Sequence, residues 1–189
     1  KRAEPVPTVT LNGHEELPLY ERHTSFEKGL RLNEPTPGDT DPWVWDPEHG
    51  EGAEWCKTEG RSDNFSLKIA KDSNGPTEWT MTRESDGAWT EKWLYSTGFR
   101  VTVYIKTEEV QGRGAFLALR WSVYNYPERY PYICSQKLVG THDWTRVEAE
   151  IHGPPPVGIS AISIILRQDG SGTTYFDDLD VEVLQIEGD

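Results

Sequence analysis

The sequence has few cysteines, almost no methionine and none of the short motifs that mark common enzymes. Cysteine occurs twice and methionine once in 189 residues, so a paired-cysteine zinc site is excluded. No Gly-x-Ser-x-Gly elbow, His-Glu-x-x-His helix or phosphate-binding loop is present, and the five histidines lack ligand spacing. The chain therefore carries no recognisable catalytic motif, although its many acids leave a glycosidase pair open.

The two cysteines, Cys56 and Cys134, leave two interpretations open. They could form one disulfide that closes a long loop and stabilises the fold by about 3–4 kcal/mol. They could also be separate buried thiols. If the protein is exported, we expect the disulfide, because a free thiol is a liability in an oxidising environment.

Basic residues are scarce. Nineteen Lys and Arg face 32 Asp and Glu, which gives a net charge of −13. This balance argues against nucleic acid, anionic membrane surfaces and strongly polyanionic ligands as bulk partners. No apolar run approaches the length of a transmembrane helix, and no signal peptide is visible. Since the numbering begins at Lys1, removal of a signal peptide stays open.

Sustained helical periodicity is also lacking, and short segments alternate apolar and polar residues instead. Residues 99–106 are the clearest case, with Phe99, Val101, Val103 and Ile105 on one side. Similar strands are predicted at residues 24–29, 65–70, 78–82, 88–95, 115–124, 144–151, within 159–167 and at 171–183. About ten short strands predict an all-β fold, a jelly-roll β-sandwich of two antiparallel sheets. We expect a leader or linker with a first short strand at 1–23 and the sandwich at 24–189.

Two neighbouring acids, Asp177 and Asp178, precede an alternating strand that carries Leu179, Val181 and Val183 on one face. A carboxylate near a core costs several kcal/mol unless it is paired or bound to a cation. The residues alone leave two interpretations open, a solvated turn or a structural calcium site with oxygen ligands.

Aromatic and basic side chains lie opposite the predicted core positions. Sugar rings pack their C–H faces on Tyr and Trp, while their hydroxyls hydrogen-bond to Arg and carboxylates. We therefore expect a shallow groove on the concave sheet, with the next loop forming one wall. Its predicted lining is Tyr104, Arg120, Tyr124, Tyr126, Tyr130 and Arg100.

Residues 33–64 read as a long loop, broken by four prolines, and Trp43, Trp45 and Trp55 lie in it. Loops of this length are often functional. Two roles stay open for these rings. They could plug one end of the core, or Trp43 and Trp45 could contact the ligand.

Five segments occur in an order that resembles a known fold family. They are Phe26-Glu-Lys-Gly29, Phe65-Ser-Leu-Lys-Ile69, the strand at 99–108, Gly140-Thr-His-Asp-Trp-Thr-Arg-Val147 and Ser171-Gly-Thr-Thr-Tyr-Phe-Asp-Asp-Leu179. Together they resemble the galactose-binding-like jelly rolls that include carbohydrate-binding modules of families 4, 9 and 22.

The resemblance implies a non-catalytic module of a secreted or cell-surface protein, which binds a polysaccharide and targets an attached carbohydrate-active enzyme. It also implies a structural calcium ion held by Glu27 and by Asp177, Asp178 or both. One alternative is an accessory sandwich that binds no sugar and braces a neighbouring domain. The other is a jelly-roll polysaccharide lyase or glycoside hydrolase.

Overall fold

The computed structural model describes residues 23–24, 46–48, 50–84, 96–122, 130–157, 159 and 161–185, of which 23–24, 46–48, 82–84 and 185 are described by their backbone alone. Ten β-strands are found there. They are β1 (His23–Thr24), β2 (Asp46–Glu48), β3 (Ala53–Cys56), β4 (Ser66–Lys71), β5 (Pro76–Glu84), β6 (Ser96–Ser122), β7 (Ile133–Cys134), β8 (Leu138–His152), β9 (Ala161–Asp169) and β10 (Gly172–Gln185). Within the same residues, no helix is long and apolar enough to cross a membrane.

Strand β6 is 27 residues long and takes part in both layers of the fold. It bends near Glu109, Gly112 and Gly114, whose φ angles are 53°, 74° and 92°. The rings of Phe99 and Trp121 meet edge to face with their centroids 5.8 Å apart. In a straight strand, residues so far apart in sequence would be separated by about 70 Å. The strand therefore folds over the core as two arms, residues 96–107 and 114–122.

The two arms of β6 belong to two antiparallel layers. Layer 1 contains β3, β4, β10, the first arm and the end of β8 in that order, and β1 also pairs with β10. Layer 2 contains β2, β5, β9 and the second arm, and β7 pairs with that arm. The predicted all-β jelly-roll sandwich is thus confirmed.

The core lies between the layers and contains the apolar residues that alternation placed inward. Trp121 is 6% exposed, as expected for a structural residue. The indole Nε1 of Trp79 on β5 donates to the carbonyl oxygen of Lys68 on β4 at 3.2 Å, which links the layers. Other core residues predicted from the sequence are Leu67, Ile69, Phe99, Val101, Val103, Ile105, Leu117 and Leu119.

The prediction that residues 33–64 form one long loop is wrong at β2 and β3. Strand β3 pairs with β4, and Glu54 lies opposite Lys68, whose Nζ is 2.6 Å from Glu54 Oε1. Backbone pairing with β4 defines this short edge strand. Its four residues are too few to show an alternating pattern in the sequence. Strand β1 begins at His23, inside the predicted leader. Residues 1–22 lie outside the described residues.

The predicted disulfide is also wrong. Both thiols are free; Cys56 is buried in β3, and Cys134 is exposed in β7. Strand β3 belongs to layer 1 and β7 to layer 2, so the sandwich holds the two cysteines on different layers.

Candidate ligand-binding face

The face of layer 2 that points away from the core carries a mixture of apolar and polar side chains. Along β6, Leu117, Leu119 and Trp121 point inward, so the intervening residues point outward. Strand registers place the partners on β5, β7 and β9 beside them. We call this surface the layer 2 outer face. It consists of Phe116, Ala118, Arg120, Cys134, Ser163, Ile165, Arg167, Glu78 and Thr80.

The floor of the layer 2 outer face is apolar. Phe116, Ala118 and Ile165 are 5%, 1% and 1% exposed and form a cluster separate from the main core. Lys137 Nζ lies 4.8 Å from the centroid of the Phe116 ring. Because these side chains are closed to solvent, they pack the sheet face from within and leave the stacking of sugar rings to exposed side chains.

Two arginines stand above this floor. Arg167 Nη1 lies 3.1 Å from Glu78 Oε2, and the Glu78 side chain is almost completely buried. Arg120 Nη1 donates a 2.8 Å hydrogen bond to the hydroxyl of Tyr132, whose ring centroid is 4.8 Å from Arg120 Cζ. Tyr132 is 42% exposed. The face therefore offers an accessible ring that is positioned by a guanidinium.

Three buried polar atoms on this face lack a hydrogen-bond partner within the part of the chain that the structure describes. They are Thr80 Oγ1, Arg120 Nε and Arg167 Nε. A buried polar atom left unpaired costs about 1–3 kcal/mol.

The predicted grouping of Tyr104 with Arg120 in one groove is wrong. Tyr104 is on the first arm of β6, opposite Asp177 of β10 and Arg146 of β8 in layer 1. Arg120 is on the second arm, opposite Ser163 in layer 2. Alternation shows which side of a strand a residue takes, but it does not reveal that the strand bends between them.

The other predicted ligand-binding residues are distributed unevenly. Arg100 is also in layer 1, where its Nε lies 3.0 Å from Glu150 Oε2 and its Nη1 2.8 Å from Glu182 Oε2. Tyr130 is partly buried and packs against the main core. Four positions, Tyr124, Tyr126, Trp43 and Trp45, lie outside the described residues. Ligand contact by any of these residues stays a prediction.

Sequence reasoning missed several residues of this face. The alternation pattern does not point to Glu78, Arg167, Lys137 or Tyr132 as ligand-binding residues. Arg167 follows an apolar run on β9, and Glu78 is its direct partner on β5. Opposite charges at strand ends were an available signal, but strand order was needed to pair them.

The second candidate site lies in layer 1 around Asp177 and Asp178. Strands β4 and β1 pair with β10 on either side of this acidic pair, so the first and last strands meet there. Asp178 has a φ of 49°, at a register shift in the pairing of β10 with β6. The two residues are 0% and 5% exposed.

The loop after β3 supplies donors to both carboxylates. Arg61 N–H donates to Asp177 Oδ2 at 2.6 Å, and Arg61 Nη1 lies 2.6 Å from Asp178 Oδ2. Ser62 Oγ donates to Asp178 Oδ1 at 2.8 Å. The Arg61 guanidinium also stacks on Tyr104, with Cζ 3.6 Å from the ring centroid. The Tyr104 ring is therefore covered on one side.

Burial changes the acid chemistry of this pair. Burial raises the pKa of Asp177 to about 7. The hydrogen bonds from the backbone N–H groups of Arg61 and Asp178 lower this pKa, but they offset the effect of burial only in part. Two adjacent buried carboxylates are oxygen ligands of the type that hard cations such as calcium prefer. Glu27, the third predicted ligand, lies outside the described residues. Among the residues that are described, no group of three His, Cys, Asp or Glu side chains could hold a metal ion.

A polar cleft of about 760 Å³ opens at the bent end of β6. It is lined by Ala70, Lys71, Asp72, Glu108, Glu109, Gln111, Thr141, Ser171, Gly172 and Thr173. None of these residues is aromatic, so the cleft offers no ring on which a sugar could stack.

Comparison with known proteins identifies the fold. No protein-family model matches the chain, and no curated protein matches it. A family 22 xylan-binding domain from Paenibacillus barcinonensis is 16% identical with a TM-score of 0.57, covering 86% of this chain and 99% of that one. The family 22 and GH10 modules of a Clostridium thermocellum endo-1,4-β-D-xylanase, complexed with xylohexaose, are 16% identical with a TM-score of 0.55 over 88% of this chain and 28% of that one.

The enzymatically active domain of a bacteriophage CBA120 tailspike protein shares the architecture more distantly. It is 11% identical with a TM-score of 0.51, covering 76% of this chain and 19% of that one. These similarities establish that the chain has the jelly-roll fold found in carbohydrate-binding modules, as the sequence resemblance predicted. At such identities they establish the fold alone.

Proposed function

We propose that this chain is a non-catalytic carbohydrate-binding module and that the layer 2 outer face binds its polysaccharide. The observation that carries the proposal is Tyr132, an exposed ring held by Arg120 beside an apolar floor. Rings bind the C–H faces of sugars, and the guanidinium N–H groups of Arg120 that do not bind Tyr132 can donate to sugar hydroxyls. The xylan-binding domain with the same fold supports this assignment.

We further propose an exported protein in which this module serves an attached carbohydrate-active enzyme. The support is that a module of similar fold occurs in one chain with a GH10 module in the C. thermocellum xylanase. The module would keep that enzyme close to its polymer and raise its effective concentration there.

We also propose that Asp177 and Asp178, together with Glu27, hold a structural calcium ion. Two adjacent buried carboxylates, which offer the hard oxygen ligands that calcium prefers, support this role. The ion would supply charge neutralisation where β1, β4 and β10 come together. Asp178 would then exchange part of its contact with Arg61 for the cation.

Affinity electrophoresis tests the main proposal. We expect the chain to be retarded in gels that contain xylan or another plant or algal polysaccharide, and to release no reducing ends from it. Arg120→Gln and Tyr132→Ala should reduce the retardation, whereas Arg146→Gln on layer 1 should not. If no polymer retards the parent chain, the accessory-domain alternative replaces the proposal. Release of reducing ends or unsaturated products would indicate an enzyme.

A further inference from the structure

We propose that the polysaccharide carries isolated carboxylate groups, and that Arg120 recognises them. This inference rests on the proposed function and concerns the same layer 2 outer face. It names uronic acid side groups on an otherwise neutral polymer as the chemical class that the face selects. The cations of the two layers differ in whether they are paired with carboxylates, and this difference supports the inference.

In layer 1, most cations on and beside the outer surface are matched with carboxylates. Lys57 and Lys71 are exceptions in the described contacts, because Lys57 lies over the Trp55 ring and Lys71 donates to the carbonyl oxygen of Gly75. Arg100 pairs with Glu150 and Glu182, and Arg146 Nη1 lies 2.9 Å from Glu148 Oε2. The same holds for Arg61 with Asp178, Lys68 with Glu54 and Lys106 with Glu59. In a chain of net charge −13, cations therefore find acidic neighbours readily.

The layer 2 outer face departs from this pattern at two cations. The described contacts of Arg120 are with Tyr132, and that of Lys137 is with the Phe116 ring. Neither pairs with a carboxylate among the residues that the structure describes. Arg167 differs, because it is already paired with Glu78 and Asp169.

The geometry of Arg120 suits an external carboxylate. Tyr132 accepts from one of the five guanidinium N–H bonds and fixes the plane of the group, which leaves other donors for a ligand. Arg120 and Phe116 are four positions apart along β6, about 13 Å in a strand, so Lys137 adds a second positive charge further along the floor. A glycan lying along β6 would meet both charges.

The overall acidity of the protein limits how many carboxylates the ligand can carry. A densely charged polyuronate would be repelled by the net charge of −13, whereas an isolated uronate needs only the local positive charge. The expected ligand is a neutral backbone with sparse uronic acid substituents.

Matched polymers test the inference. Three uronate-bearing polysaccharides with different neutral backbones, among them 4-O-methylglucuronoxylan, are compared with their carboxyl-reduced forms by affinity electrophoresis and calorimetry. We expect the parent chain to bind at least one native polymer about tenfold more tightly than its reduced form, the usual scale of one charge-assisted hydrogen bond. The preference for the native over the reduced polymer should shrink in 1 M NaCl. For polygalacturonate we expect no preference for the native form.

Variants then assign the preference to a residue. Arg120→Gln should bind native and reduced polymers equally, while Arg120→Lys, which keeps the charge, should retain part of the preference. Arg146→Gln removes the same charge from an exposed site in layer 1 and should behave like the parent. Thermal melting checks that all three variants are folded.

The outcomes separate this inference from the function on which it rests. Equal binding of native and reduced polymers by the parent would overturn the carboxylate assignment and leave carbohydrate binding intact. Retention of the preference by Arg120→Gln, or binding of a sulfated galactan in place of every uronate polymer, would also overturn it. Failure to bind any charged or neutral polymer would overturn both.

Discussion

At the scale of single residues, Asp177 is the group whose chemistry the fold changes most clearly. It is fully buried beside Asp178, and burial raises its pKa from 3.8 to about 7. Three backbone N–H groups, from Arg61, Ser62 and Asp178, donate to its oxygens at 2.6–3.4 Å. These contacts keep the carboxylate in place but do not remove the cost of its charge.

This shift predicts how stability depends on pH when divalent cations are absent. Between pH 4 and pH 7 the folded chain binds a proton at Asp177 that the unfolded chain has lost, so the unfolding free energy contributed by this group falls as pH rises. The loss should be a few kcal/mol, about 1.4 for each pH unit within that window.

Chemical denaturation at several pH values in EDTA measures the effect, with Asp177→Asn as the reference. The difference between parent and variant should fall with rising pH, and added calcium should flatten it. Calcium should also raise the melting temperature of the parent, while chelator lowers it. A melting temperature indifferent to calcium would contradict the proposed calcium site.

Trp121 provides a prediction about the core. Its ring is 6% exposed and meets Phe99 of the opposite layer. Trp121→Ala should lower the unfolding free energy by about 3–5 kcal/mol through the cavity left between the layers. Val139→Ala, at a side chain that is 52% exposed, should change it by less than about 0.5 kcal/mol. Comparable losses in the two variants would contradict the assigned core.

At the scale of elements, the bend of β6 determines which residues share a face. The bend packs against the turn between β9 and β10, where Gln111 N–H donates to the carbonyl oxygen of Ser171 at 2.9 Å. Gly170 is in close contact there, because a Cβ on it would lie 1.9 Å from the carbonyl oxygen of Gln111.

Two glycines with similar backbone angles separate this contact from backbone strain. Gly170 has a φ of 140° and Gly75 a φ of 134°, but a Cβ at Gly75 would meet nothing within 4 Å. Both Ala variants therefore share the conformational cost, and only Gly170→Ala adds a clash. We expect it to be less stable than Gly75→Ala by about 2 kcal/mol in urea denaturation. Equal stabilities would mean that β6 and the β9–β10 turn are not closely packed.

Most of the strands could be predicted because alternation is a local property. In residues 99–106 every second side chain is buried in the core, and this alternation is visible in the sequence alone. Strand order and layer are not local. For that reason the sequence predicts Tyr104 and Arg120 in one groove and a loop at β3. It also leaves a disulfide open between two cysteines that lie in different layers.

The candidate site was predicted in part for the same reason. Arg120 was identified because its side chain is polar on the non-core side of a clear strand. Glu78 and Arg167 come from strands far apart in sequence, and only their pairing makes them neighbours. Asp177 and Asp178 were recognisable because two acids stand directly before an apolar strand, but Arg61 and Ser62 belong to a distant loop.

At the scale of the whole molecule, the two outer faces of the sandwich differ in character. Layer 1 carries matched ion pairs and a guanidinium stacked on Tyr104. Layer 2 carries a buried apolar floor, an exposed Tyr132 ring and an arginine, Arg120, that pairs with no carboxylate among the residues that the structure describes. The fold therefore presents one face with satisfied contacts and one suited to a ligand.

Calorimetric titration of Tyr132→Ala and Tyr104→Ala with the polysaccharide found in the gel screen tests the central claim most directly. We expect Tyr132→Ala to lose about 1–3 kcal/mol of binding free energy, and Tyr104→Ala to bind within about twofold of the parent. Both variants should melt cooperatively. Binding lost in Tyr104→Ala or in a Trp43 variant, but kept in Tyr132→Ala, would contradict the assignment of the site to layer 2.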